Sequence, residues 1–138
     1  MYITLLMAQT LDGKIARNPG QNADWTSRED KKYFVQLTKE VGTIIMGMGT
    51  FRAMGCFVLP GRYNVILGDK PYPKSPVEGQ LQYLSGTPQN IVKTLESQGV
   101  TRAILGGGAY TNNQFLKAGL VNELHITIAS RLFGEGLG

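Results

Sequence analysis

The chain is poor in the residues that usually carry chemistry. One cysteine, Cys56, excludes an internal disulfide, and one histidine, His125, leaves no cluster with zinc-ligand spacing. Cys56 also lacks a partner that would activate its thiol, so it is assigned no role. Nucleophilic triads and paired-histidine sites are absent, and the default is a cytoplasmic protein that binds no metal. No long apolar run occurs: MYITLLMAQTLDGK reaches Asp12 after a few apolar residues and has no basic leader, so neither a signal peptide nor a membrane partner is expected. Charged residues are only 17%, with a net charge of +4. The 14 basic residues are scattered, Lys31 and Lys32 alone being adjacent, which argues against nucleic acid and suits a small anionic ligand.

Glycine is what the chain has in quantity. The 18 glycines and a hydrophobic content of 42% describe a turn-rich globular chain. At 138 residues it reads as one domain, 1–138, that buries roughly two thirds of its unfolded surface. Its organising stretch is TRAILGGGAYTNNQFL, Thr101 to Leu116, where a buried strand, Ala103 to Leu105, feeds Gly106, Gly107 and Gly108 and then a helix from about Thr111 to Ala118. Such a turn lets backbone N–H groups approach an anion, and the helix adds its positive end. The competing reading is a mere tight connection. A Rossmann fingerprint does not fit, because the third glycine falls too early and Glu123 precedes the next strand instead of following it.

Along the chain, Tyr2 to Ala8 is an apolar run expected as a central strand, followed by an Asp12-Gly13 turn and a loop to about Asp24. Thr26 to Glu29 is a capping box, and Tyr33, Phe34, Leu37 and Val41 recur at helical spacing before Gly42. Thr43 to Met46 is a short strand, and Gly47-Met48-Gly49-Thr50 is a second glycine turn ahead of Phe51 to Met54. Strands follow at Tyr63 to Leu67 and Leu81 to Leu84, separated by an exposed connection. Thr87 and Pro88 open a helix that buries Ile91, Val92 and Leu95 and stops at Gly99, and Glu123 to Ala129 is the last strand.

Strands alternating with helices predict an α/β fold with a mostly parallel central sheet flanked by helices on both faces. Ligands in such sheets bind at the strand carboxyl ends, where all three glycine-bearing turns fall. Asp30 is the best candidate for proton chemistry, although the helix dipole alone favours an acid in a first turn. Asp12 is equally ordinary as a turn residue, and Trp25 reads first as a staple packing its loop on the helix. His125 alternates with Leu124 and Ile126, and so should point away from the core side chains of its strand, half exposed.

In series, these motifs resemble the dihydrofolate reductase-like superfamily, and within it the reductase domain of riboflavin biosynthesis. The resemblance spans nearly the whole chain. ITLLMAQTLDGKIA is similar to the first strand and nicotinamide-side loop, and DWTSRED with Phe34 to the substrate-side tryptophan and acid. IIMGMGTF, LPGRYNVILG and ILGGGAYTNNQFL match, in order, the segments that line NADPH. The resemblance implies that Ala8 and Ile15 flank the nicotinamide and that Gly47 and Thr50 meet the phosphates and ribose. It places Leu67 and Gly68 on the adenosine side, and Gly106, Gly107, Gly108 and Ala109 at the pyrophosphate. It places Asp12, Trp25, Asp30 and Arg52 on the substrate, with Asp30 catalytic.

LDGKIA, GxGTxRA at Gly47 to Ala53 and GLVNELHITIASRLFGEG resemble the riboflavin branch, which implies 5-amino-6-(5-phosphoribosylamino)uracil as the type of substrate and a homodimer. Departures keep dihydrofolate reductase and a non-enzymatic nucleotide-binding module as alternatives. Met54-Gly55-Cys56 replaces the branch's DDP segment. Met48 and Gly49 stand where a basic residue usually meets the 2′-phosphate; Arg52 or Lys70 can substitute, and Asp69 keeps NADH open beside NADPH. The fold normally ends in another antiparallel strand or two, so the chain is expected to lack its last C-terminal strands.

Overall fold

Continuous apolar runs become strands here because both faces of the sheet are covered. In the computed structural model, which describes residues 1–10 and 28–129, six strands form one sheet in the order β4-β3-β2-β5-β1-β6, and every neighbouring pair is parallel. The strands are β1 (Tyr2–Thr10), β2 (Thr43–Gly47), β3 (Tyr63–Leu67), β4 (Leu81–Leu84), β5 (Arg102–Leu105) and β6 (Glu123–Ala129). The helices are α1 (Arg28–Val41), α2 (Met48–Ala53), α3 (Pro88–Ser97) and α4 (Ala109–Lys117).

Alternation along each strand sorts the core into two layers. Ile3, Leu5, Ile45, Val65, Ala103 and Leu105 pack with Ile91, Val92 and Leu95 of α3 and Phe115 of α4. Ile44, Met46, Ile66 and Ile104 face the other way, toward Phe51 of α2 and Phe34, Leu37 and Val41 of α1. Helices therefore cover both faces, as the alternation of elements implied. None of the helices among the described residues is long and apolar enough to cross a membrane.

Local chemistry sets the boundaries. Thr87 accepts a hydrogen bond from the Asn90 N–H at 3.2 Å, and Pro88 occupies the first turn of α3. Gly42, at φ +93°, ends α1 one residue before β2 begins. Two helices start earlier than the spacing predicted. α4 begins at Ala109, not near Thr111, because the Asn112 N–H closes a turn on Gly108 O at 2.9 Å. α2 begins at Met48, directly after Gly47, so the expected four-residue glycine turn is a strand end and a helix start with nothing between them.

The strand order places the site. The chain builds β1, crosses to β2, runs outward through β3 and β4, and returns to lay β5 between β2 and β1. At that reversal the connections leave in opposite directions and open a crevice at the carboxyl ends. Because α1 joins β2 through Gly42 alone, it runs antiparallel to that strand. The first turn of α1 is thereby carried to the carboxyl end of the sheet.

Candidate active site: a glycine ledge at the strand ends

Backbone hydrogen bonds fuse the two glycine turns. The Gly106 N–H donates to Ile45 O and the Gly47 N–H donates to Gly107 O, each at 2.8 Å. The turns after β2 and β5 are thus one continuous surface. The Gly107–Gly108 peptide bond is cis, and Gly107 has φ +108°, a conformation that suits glycine.

Two of the glycines at the joint stand close against threonine side chains. A Cβ on Gly47 would lie 2.5 Å from Thr111 Oγ1, and one on Gly108 would lie 3.1 Å from Thr50 Oγ1. Gly68, just past β3, abuts Met48, where a Cβ would approach the Met48 Cβ to 2.8 Å. The ledge therefore extends from β5 through β2 to β3. No side chain caps α4 at Gly108, and its first turn contains no acid. Its leading N–H groups are left for an anion, which the helix dipole also favours.

Past Gly68 the chain forms a cleft of about 560 Å³ lined by Lys70, Pro71, Tyr72, Lys74, Ser75 and Pro76. Arg52 reaches the same segment, donating from Nη2 to Pro71 O at 3.2 Å. The far end of the ledge is accordingly cationic. Across β5 lies β1, with Ala8 paired to Thr127 of β6, and the first turn of α1 contains Asp30.

A family model described as dihydrofolate reductase matches residues 2–135. The chain belongs to the dihydrofolate reductase family. It is 26% identical to a riboflavin biosynthesis protein, RibD, of Aquifex aeolicus, over 99% of this chain and 48% of that protein; it thus spans about half that relative's length. It is 24% identical to the 2,5-diamino-6-ribosylamino-4(3H)-pyrimidinone 5′-phosphate reductase of Methanothermobacter thermautotrophicus, over 96% of this chain and 79% of that one. Among solved structures, a Shewanella sp. PV-4 protein named for riboflavin biosynthesis superposes with a TM-score of 0.77 at 24% identity, covering 99% of this chain and 81% of that one. Dihydrofolate reductase from Enterococcus faecalis, complexed with NADP(H), gives 0.70 at 24% identity, covering 96% and 73%.

Within this dihydrofolate reductase fold, Gly47, Thr50, Leu67, Gly68, Gly106, Gly107, Gly108 and Ala109 all fall on or beside the ledge. The structure brings these eight expected positions, from Gly47 to Ala109, to one edge of the sheet. Ala8 lies in β1 and Asp30 in α1, but their side chains are outside the described residues, as are Asp12, Ile15 and Trp25 altogether. Arg52 is placed beside the segment after β3.

Thr111 escaped the sequence reading, because nothing in the run AYTNN says which hydroxyl backs Gly47. Asn112 escaped it too. It is buried in α4, and among the described residues its Oδ1 is the buried side-chain acceptor without a partner. Asn112 and Phe115 are three residues apart, and that helical spacing could have marked Asn112 as inward-facing.

The other flank is fixed by polar side chains. Arg62 is buried and donates to Thr38 Oγ1 at 2.8 Å, to Pro60 O at 2.8 Å and to Val35 O at 3.3 Å. Burial pulls its guanidinium below the usual range, and it stays cationic. Asn64 braces the same turn, donating to Leu59 O, Arg62 O and Gln80 O. His125 is half-buried as expected, yet the neighbouring Leu124 is 50% exposed. The reason is position: β6 is the last strand of the order, beyond the layer that α3 and α4 fill.

Proposed function

We propose that this chain is a reductase that uses NADPH to reduce a pyrimidine-like substrate of the 5-amino-6-(5-phosphoribosylamino)uracil type. The observation that carries the proposal is the Gly47–Gly107 hydrogen bond, which turns two glycine segments into one side-chain-free ledge under the uncapped start of α4. A dinucleotide needs such a ledge, because its pyrophosphate must approach backbone N–H groups closely. The relative named for riboflavin biosynthesis and the one named as a pyrimidinone 5′-phosphate reductase support the substrate class. The NADP(H)-complexed neighbour supports the cofactor.

In this reading Gly106, Gly107, Gly108 and Ala109 hold the pyrophosphate, while Gly47 and Thr50 meet the adjoining phosphates and ribose. Leu67 and Gly68 support the adenosine, with Arg52 and Lys70 supplying charge for a 2′-phosphate. Ala8 and Ile15 flank the nicotinamide, which when bound supplies a hydride from C4. Asp12, Trp25 and Asp30 face the substrate. Asp30 grips the heterocycle and assists protonation of the reduced centre. The protein's main contribution is geometric, since donor and acceptor carbons must be held about 3 to 3.5 Å apart.

The test is direct. Loss of NADPH absorbance is followed with 5-amino-6-(5-phosphoribosylamino)uracil and, separately, with dihydrofolate. Oxidation with the first supports the proposal; oxidation with dihydrofolate alone assigns the chain to dihydrofolate reduction, and oxidation with neither overturns the enzymatic reading. Asp30→Asn should lower kcat/KM about a hundredfold with an unchanged unfolding midpoint, the size expected when a positioned acid or base is lost.

A further inference from the structure

Four side chains from three elements form a line of hydrogen bonds that the glycine ledge does not use. The Tyr2 hydroxyl, at the start of β1, donates to Glu123 Oε1 at 2.7 Å. The other Glu123 oxygen bonds His125 Nε2, and His125 Nδ1 bonds the Tyr33 hydroxyl of α1 at 2.6 Å. The Tyr33 and His125 rings also stack, with centroids 6.0 Å apart and planes 12° from parallel. Both ring nitrogens are therefore occupied, a carboxylate on one and a phenol on the other, and the imidazole is oriented from both sides.

What this line of bonds holds is the upstream part of α1. From Phe34 onward the helix is secured by other means: Phe34, Leu37 and Val41 pack into the core layer beneath it, and Arg62 bonds Val35 O and Thr38 Oγ1. Upstream of Phe34, Tyr33 is the described side chain that ties the helix to the sheet. Tyr33 also follows Asp30 by three residues, so the two are neighbours one turn apart on the helix.

We propose that His125 is a positioning residue for the reductase reaction, fixing Tyr33 and, through it, the turn of α1 that carries Asp30. The inference rests on the reading of Asp30 as substrate-facing. Hydride transfer tolerates little misplacement, so a small loosening of this turn affects the substrate half of the site. The glycine ledge that would hold the pyrophosphate and adenosine, built on β2, β3 and β5, does not share these bonds. A merely structural role would instead loosen both halves together.

The chain contains one histidine, so its imidazole nitrogen resonances assign themselves. In the intact protein, Tyr33→Phe should shift the Nδ1 resonance. Tyr33→Phe and His125→Gln should each speed amide exchange about tenfold at residues 31–34 and leave residues 36–41 protected. With NADPH and 5-amino-6-(5-phosphoribosylamino)uracil, both variants should lower kcat or raise KM about fivefold or more, while Kd for NADPH stays within twofold. The double variant should be no worse than the poorer single one.

Unchanged exchange and kinetics in both variants overturn the proposal, and so does a parallel loss of NADPH affinity. If the wild-type protein oxidises NADPH with neither pyrimidine nor dihydrofolate, the reductase reading fails and takes this role with it. An active enzyme that is indifferent to both substitutions sinks the His125 role alone, so the two failures are distinct.

Discussion

The two flanks of the crevice are built on opposite principles. On the β2–β3–β5 flank the surface is backbone: main-chain hydrogen bonds join Gly47 to Gly107 and Gly106 to Ile45, and the available space is defined by missing side chains. On the α1–β6 flank the main chain is ordinary helix and strand, and placement depends on the side chains of Arg62, Thr38, Tyr33, His125 and Glu123. The first flank should therefore fail when an atom is added, and the second when one is removed.

The largest effect should come from adding an atom to the ledge. Gly107→Ala forces a side chain onto a residue at φ +108°, a strain of about 1–3 kcal/mol. Because the turn must shift to relieve it, NADPH affinity should fall at least about tenfold, read by fluorescence titration beside a thermal melt. An unchanged Kd would show that the ledge is only a connection.

Removing atoms from the other flank comes next. Arg62→Met keeps an unbranched apolar stem but removes the guanidinium that donates to Thr38 Oγ1, Pro60 O and Val35 O. Stability should drop by about 2–3 kcal/mol in urea unfolding, the scale of losing buried bonds to a charged group. NADPH affinity of the folded fraction should be unchanged. A parallel loss of cofactor binding would erase the distinction between the flanks.

The smallest effect is electrostatic. The Tyr2 hydroxyl, and after it the bond to His125, hold the Glu123 carboxyl below its ordinary value of 4.5. A carboxyl depressed on folding stabilises the fold above its unfolded value, and that contribution is lost as pH falls through the lower folded value. The same bond raises the Tyr2 phenol above 10.0, so its share is present below that value and lost as pH rises through the folded one. Glu123→Gln should flatten a small part of the acid limb of stability, measured as the urea midpoint between about pH 2 and 6. An unaltered limb would place the carboxyl's pairing outside the folding equilibrium.

Legibility followed the same division. The runs YNVIL and LQYL matched β3 and β4 residue for residue, and Thr87-Pro88 with Ile91, Val92 and Leu95 matched α3, because local propensity, capping and burial agree there. The glycine flank was readable because glycine after a short apolar run is itself the local signal. The polar clamps were not readable. Arg62 reads as one residue of the run LPGRYNVILG and His125 as one residue of the last strand, and no local pattern links either to α1.

Local sequence set the order and type of the elements, a mostly parallel sheet and the glycines at the strand ends, since each depends on periodicity or backbone freedom within a few residues. Tertiary structure alone decided that Gly47 meets Gly107, that Thr111 backs Gly47, and that Tyr2, Glu123, His125 and Tyr33 form one line across three elements. Apart from Glu123 and His125, which are two residues apart on β6, these partners lie some 60 to 120 residues apart. At that separation only the strand order β4-β3-β2-β5-β1-β6 can bring them within a hydrogen bond's reach.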